Sequence, residues 1–209
     1  GGGLVNGSKG AGVYLAGGYS TISHCKIYSN RSFLDQEHEL YNPLCYGNAA
    51  ALVWRNTCAV NDIGLIMEYC EVYDNVTKTI NDQMATFDWP FRTTIQIQRG
   101  LHVIEPGESG YNHVEINQCT ITDNRIIKEP SFFDPYVNCA VGILRLTDEE
   151  HIRGTINNNI IYDNTSGTNL FNQNTTQIQQ LYGGSFNNQG VFIPIVIPIR
   201  FCCVNNAHD

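Results

Sequence analysis

Basic residues are scarce in this chain: 12 Lys and Arg stand against 20 Asp and Glu in 209 residues, a formal net charge of -8. Without a basic stripe, the chain lacks the phosphate-neutralising footprint of a nucleic-acid binder or an anionic-membrane binder. Charge of either sign is thin, at 15% of residues, which argues against disorder and against a polyelectrolyte tail. No apolar run approaches the ~20 residues that a membrane-spanning helix needs. The longest, Val191 to Ile199, is interrupted by Pro194 and Pro198 and reads as an edge strand or an extended linker. No Met or signal peptide opens the chain, which starts Gly1-Gly2-Gly3; it reads as a processed, recombinant or partial product. Among the eight cysteines there is no Cys-x-x-Cys pair, and no Cys/His set has zinc-finger spacing.

What is abundant favours turns and strands. Asparagine occurs 23 times and glycine 19 times, and both are poor helix formers. The length suits one domain over residues 1–209.

A hexapeptide recurs along the chain. Cys25-Lys26-Ile27-Tyr28-Ser29-Asn30 is matched by Cys70-Glu71-Val72-Tyr73-Asp74-Asn75, by Cys119-Thr120-Ile121-Thr122-Asp123-Asn124 and by Asn159-Ile160-Ile161-Tyr162-Asp163-Asn164. Three residues before each first position stands Ile22, Met67, Ile116 or Ile156. A degraded fifth copy has Ile199, Cys202 and Val204, with Asn206 one residue early. The first positions are 45, 49, 40 and 43 residues apart.

Alternation on a strand puts Cys25 and Ile27 on one face and Lys26 and Tyr28 on the other. The inward set is apolar and the outward set polar or aromatic. Each strand ends at an Asn, a residue that tolerates left-handed backbone. Stacked copies bring identical residues to the ~4.8 Å strand spacing, so buried asparagines can bond one to the next. The structural ladder expected is Asn30, Asn75, Asn124 and Asn164, with the degraded fifth copy ending near Asn206, beside a core column of Cys25, Cys70 and Cys119 in which each cysteine is a small buried hydrophobe.

A second β-like segment precedes each motif: Gly12–Leu15, Ala51–Trp54, Thr94–Ile97 and Val141–Leu144. The polar, Pro-containing stretches at 31–47, 76–92 and 125–138 read as long loops. One coil plus a loop per period is preferred over two coils, because those stretches show no second apolar alternation.

The Ile-x-x-Cys-x-Ile-x-x-Asn pattern, from about residue 10 to 206, is similar to the parallel β-helix repeats of the pectin-lyase-like superfamily. It resembles most the surface β-helix proteins with "NCTISGN"-like repeats. The resemblance implies an all-β fold: a single-stranded, right-handed parallel β-helix solenoid of about five coils with long loop insertions. That superfamily includes polysaccharide lyases, glycoside hydrolases, tailspikes, adhesins and non-catalytic surface proteins, so fold alone does not select a function.

Several residue sets compete for a role. Tyr28, Tyr73 and Tyr162 could form a platform for sugar rings, or simply stack across strands. Asp74, Asp123 and Asp163 could hold calcium, or could serve only as turn residues; no other cofactor is expected. Sequons at Asn6, Asn30, Asn75, Asn164 and Asn174 are glycosylation candidates, and Asn6 and Asn174 are the cleaner pair because the other three belong to the ladder. Cys45 and Cys58 lie off the column and could form a disulfide. The six histidines show no metal spacing and read as surface or packing residues. Neither the paired-Asp and Gly-His-Gly motifs of pectin hydrolases nor a lyase Arg motif is found.

The expectation is a non-catalytic extracellular or cell-surface structural protein, an adhesin or a filament subunit, self-associating through uncapped ends and contacting glycans or polysaccharide. The alternative is a lyase or hydrolase of acidic polysaccharide.

Overall fold

The computed structural model describes residues 12–16, 18–32, 50–56, 63–79, 91–99, 111–128, 137–145, 151–167, 176–177, 179–186, 192–194 and 199–204. Among them there is no helix. The first repeat supplies β1 (Val13–Ala16), β2 (Tyr19–Ser23), β3 (Lys26–Tyr28) and β4 (Arg31–Ser32), and the second β5 (Leu52–Asn56), β6 (Ile63–Glu68), β7 (Glu71–Tyr73) and β8 (Val76–Thr79). The third supplies β9 (Phe91–Arg99), β10 (Tyr111–Asn117), β11 (Thr120–Thr122) and β12 (Arg125–Lys128), and the fourth β13 (Val137–Arg145), β14 (His151–Asn157), β15 (Ile160–Tyr162) and β16 (Thr165–Gly167). Then follow β17 (Thr176–Gln177), β18 (Gln179–Phe186), β19 (Phe192–Pro194), β20 (Ile199–Arg200) and β21 (Cys203–Val204).

Through β16, every fourth strand shares a sheet. Sheet I runs β1-β5-β9-β13-β18-β19, sheet II β2-β6-β10-β14-β20, sheet III β3-β7-β11-β15-β21 and sheet IV β4-β8-β12-β16-β17. Pairing between successive repeats is parallel and in register: Ile22 faces Met67, which faces Ile116, which faces Ile156, which faces Ile199. Each period therefore adds one strand to each of four sheets.

Sheet IV corrects the loop reading. The stretches beginning at 31, 76 and 125 open as strands β4, β8 and β12. Ile126 and Ile127 are both buried there, and Thr77 bridges two backbone segments, accepting from the Ala50 N–H at 3.1 Å and donating to the Thr93 carbonyl at 3.0 Å. Two-residue alternation is too short in these strands to stand out by pattern.

The C-terminal side also differs from an open end. Strand β19 pairs antiparallel with β18 along sheet I, and β17 pairs antiparallel with β16 along sheet IV. Pro194 lies in that edge strand, the place in a sheet where a residue without an N–H donor is tolerated. The rest of Val191–Ile199 up to Pro198 falls largely outside the described residues.

The core is a set of columns. Leu65, Met67, Val72, Ile95, Ile116, Ile121, Ile156 and Ile161 are buried in one cluster, each contributing about 1.5–3 kcal/mol on removal from water. Gly64 holds a place of its own. A Cβ there would lie 2.7 Å from the His113 carbonyl oxygen and 2.9 Å from Cε2 of Tyr19. Its lack of a side chain lets Tyr19 and His113, one repeat to either side, stack at 6.2 Å between ring centroids.

Candidate functional site: the corners and outer face of sheet III

Sheet III has three-residue strands bounded by two sharp corners in each repeat. The left-handed residue at the second corner is not the closing Asn but the residue before it: Ser29, Asp74, Asp123 and Asp163 have φ of 54°, 51°, 54° and 52°. The first corner uses the same device at His24, Tyr69, Gln118, Asn158 and Phe201, with φ of 53–54°. One left-handed residue redirects the chain from one sheet to the next and leaves the following side chain facing inward.

Both inward side chains then do the same job. Asn75 donates through Nδ2 to the Tyr73 carbonyl two residues back at 3.0 Å and to the Ile27 carbonyl of the preceding repeat at 2.9 Å. Cys70 donates through Sγ to the Glu68 carbonyl at 3.2 Å and to the Ile22 carbonyl of the preceding repeat at 3.5 Å. Cys119 and Cys202 repeat this pattern with Asn117 and Met67, and with Arg200 and Ile156. The cysteine column is therefore not merely a column of hydrophobes. Its thiols are weak donors aimed at carbonyls beside the corner. That explains how Asn159 replaces a cysteine: its Nδ2 donates to the Ile116 carbonyl at 2.6 Å.

The asparagines also bond along the stack. Nδ2 of Asn30, Asn75 and Asn124 donates to Oδ1 of Asn75, Asn124 and Asn164 at 2.9, 2.9 and 2.8 Å. The same oxygens accept the backbone N–H of Asn30, Asn75 and Asn124, each at 3.1 Å. Asn75, Asn124 and Asn164 are fully buried. A glycan on Asn75 or Asn164 would have to displace these bonds from the core. Asn30 is partly buried at the first repeat, and Asn6, Asn174 and Asn206 lie outside the described residues.

The cysteines divide by position. Cys70, Cys119 and Cys139 are buried, Cys202 is half-buried, and Cys25 and Cys203 are exposed. Cys25 thus departs from the core reading: it holds the terminal place in the described column, with a stacked neighbour on one side. Burial raises the Cys70 thiol above its ordinary range, pushes Cys119 up to about 12, and raises Cys139 further. The candidate pair Cys45 and Cys58 lies outside the described residues.

The outward side of sheet III is solvent-facing. One row reads Lys26, Glu71, Thr120, Ile160, Cys203, and the next Tyr28, Tyr73, Thr122, Tyr162. Lys26 Nζ meets Glu71 Oε2 at 2.9 Å, and that hydrogen bond, helped by the charge, raises the lysine's pKa. Tyr28 and Tyr73 stack at 5.2 Å with planes 5° apart. Their rings therefore face each other along the stack and do not lie flat as a platform. Tyr162 stands apart from this pair, with Thr122 between.

At the corner row, Ser29 Oγ donates to Asp74 Oδ2 at 2.6 Å, and Arg31 Nη2 meets Asp74 Oδ1 at 3.1 Å while its Nη1 donates to the Asp74 carbonyl. The Ser29 hydroxyl first, and the Arg31 guanidinium with it, hold the Asp74 carboxyl below its usual range. Asp123 accepts from the Thr122 hydroxyl at 3.5 Å, and Asp163 is exposed. Among the described residues no three His, Cys, Asp or Glu side chains converge to hold a metal ion.

Sequence pattern missed two pairs. His24 and Tyr69 stack at 4.9 Å on the first corner row. On sheet II, Glu115 Oε1 lies 2.6 Å from His113 Nε2, and Glu115 Oε2 accepts from Asn117 Nδ2 at 3.2 Å. Counting back one residue from each Cys position would have aligned His24 with Tyr69. The His113-x-Glu115-x-Asn117 spacing would have put those three on one strand face.

Comparison with protein-family models, curated proteins and solved structures finds no match to this chain. No helix among the described residues is long and apolar enough to cross a membrane.

Proposed function

We propose that this chain is a non-catalytic structural protein of the extracellular space or cell surface, folded as a right-handed parallel β-helix of the pectin-lyase-like kind, that adheres through the outer face of sheet III. The observation that carries the reading is the division of labour within the repeat. The inward corner residues are occupied with carbonyls and with one another, while the outward rows place tyrosines, ion pairs and hydroxyls on one exposed surface. An array of polar and aromatic groups repeated along one sheet face is suited to an extended ligand, because each further repeat adds a contact.

The adhesin form is favoured over the filament form by β17 and β19. These antiparallel strands lie along the C-terminal side of sheets IV and I, where a second copy would have to continue the parallel ladder.

Hydrolysis or elimination on acidic polysaccharide remains the competing reading, and the His113–Glu115 pair is the place it would use. Incubation with a panel of immobilised polysaccharides distinguishes them. The adhesin reading expects retention of the protein without release of oligosaccharides. Cleavage of pectate or alginate, abolished by Glu115→Gln, would sink it, and so would a failure to adhere to any glycan surface.

A further inference from the structure

The tyrosine row of sheet III has one gap, and its dimensions are set by the register. Thr122 is the Cα partner of both Tyr73 and Tyr162, so those two tyrosines are separated by two strand spacings, roughly 9.6 Å at ~4.8 Å each. On its other side Tyr73 is already stacked nearly parallel on Tyr28, so its remaining ring face is turned toward the gap. A six-membered ring inserted midway would lie ~4.8 Å from each wall, within the ~4.5–7 Å range of favourable ring contacts. Nothing larger than Thr122 forms the floor.

The rim decides what kind of ring fits. Thr122 Oγ1 is at the floor, and it donates only weakly to Asp123 Oδ2, at 3.5 Å. Asp123 is exposed, and Tyr162 is 41% exposed. A ring entering edge-on would thus meet the Tyr73 ring on one side and the Tyr162 side chain on the other, with hydroxyl and carboxylate acceptors at its edge. An aromatic side chain satisfies the walls but presents C–H groups to the acceptors. A pyranose satisfies both, with C–H groups on its faces and O–H donors around its rim. The charge narrows the choice again. Asp74 on the corner row is paired with Arg31, but the exposed Asp123 carboxylate lies beside the Thr122 hydroxyl, so a uronate or sulfated sugar would bring like charge to the notch there.

We propose that the notch over Thr122, walled by Tyr73 and Tyr162, binds one neutral pyranose residue of a glycan, with Asp123 accepting from its ring hydroxyls. This rests on the adhesin reading and specifies the sugar class it would recognise. Thr122 offers a direct test, because Thr122→Tyr fills the notch with the residue that three other repeats already carry at this position. The variant is expected to fold and to melt no lower than the parent.

The experiment is titration of the whole chain with neutral gluco-, galacto- and mannopyranose oligosaccharides and with oligogalacturonate, read by calorimetry and ligand-observed NMR. Expected are saturable binding of at least one neutral series, weaker binding of oligogalacturonate, and a loss of affinity of about tenfold or more in Thr122→Tyr. Asp123→Asn should narrow the gap between neutral and acidic sugars. Unchanged affinity in Thr122→Tyr, a preference for oligogalacturonate, or no binding of any neutral series overturns the proposal. If Thr122→Tyr still adheres to glycan surfaces as the parent does, the notch is wrong and the adhesin reading stands. If the parent adheres to none, both fall.

Discussion

A left-handed residue followed by an inward hydrogen-bond donor is the unit from which the corners of this protein are made. Asn124 shows the full set of such bonds: its Nδ2 donates to the Val72, Thr122 and Asn164 oxygens, and its Oδ1 accepts twice from Asn75. Asn124→Ala leaves buried donors and carbonyls without partners and should cost about 2–3 kcal/mol in urea unfolding. Asn30→Ala, at the partly buried start of the ladder, should cost clearly less. Equal losses at the two positions would contradict the ladder. The thiols make a second prediction. Cys119 is held protonated in the folded chain up to about 12, whereas an unfolded thiol ionises near ~8.5. Between those values the folded state binds the extra proton, so stability falls as pH rises through that window. Cys119→Ser keeps a donor for the Asn117 and Met67 carbonyls and should flatten that fall. Under native conditions at neutral pH a thiol reagent should modify Cys25 and Cys203, with Cys70, Cys119 and Cys139 reacting only on unfolding. Rapid native labelling of Cys119 would refute the placement. Asp74 works in the opposite direction. Its pKa is lowered on folding, so its contribution is present above the ordinary carboxyl value of ~3.9 and is lost as pH falls through the folded one. The stability difference between the parent and Asp74→Asn should therefore be measurable at pH 6 and vanish in acid.

At the scale of the element, short strands in four sheets depend on register more than on propensity. Gly64 shows how tightly. Gly64→Val would drive its side chain into the His113 carbonyl and the Tyr19 ring, separating the stacked pair and straining β6 against both neighbours. A loss of about 1–3 kcal/mol is expected from such overpacking, and a thermal melt unchanged from the parent would show that Tyr19 and His113 do not close over that glycine. The alternation of Cys25 with Ile27, and of their counterparts, was readable because apolar and polar residues trade places at a period of two. The one-strand-per-sheet period was readable because Ile22, Met67, Ile116, Ile156 and Ile199 recur at the same offset. Three features were not. The left-handed residue sits one place earlier than Asn chemistry suggests, because the turn needs its side chain outside and the Asn needs its own inside. Strands β4, β8 and β12 carry Arg31, Lys78 and Lys128 in runs of two to four residues, too short for alternation to register. The antiparallel strands β17 and β19 pair across segments whose sequence has no repeat to align.

For the whole molecule, the surface proposed for recognition was only half visible in the sequence. Tyr28, Tyr73 and Tyr162 could be named as one outward row from spacing alone. That Tyr28 and Tyr73 pair face to face, which underlies the notch proposed over Thr122, is a matter of ring orientation, which no spacing encodes. The inward columns occupy Asn75, Asn124, Asn159 and Asn164 together with Cys70 and Cys119, so recognition is proposed to lie on the outer rows. Oxidative footprinting of the protein bound to a glycan-coated surface, compared with the free protein, tests this assignment most directly. The account predicts protection of Tyr28, Tyr73 and Tyr162 on sheet III, with Tyr19 and His113 on sheet II unchanged. Protection confined to the His113–Glu115 face, accompanied by release of cleaved saccharide, would contradict it.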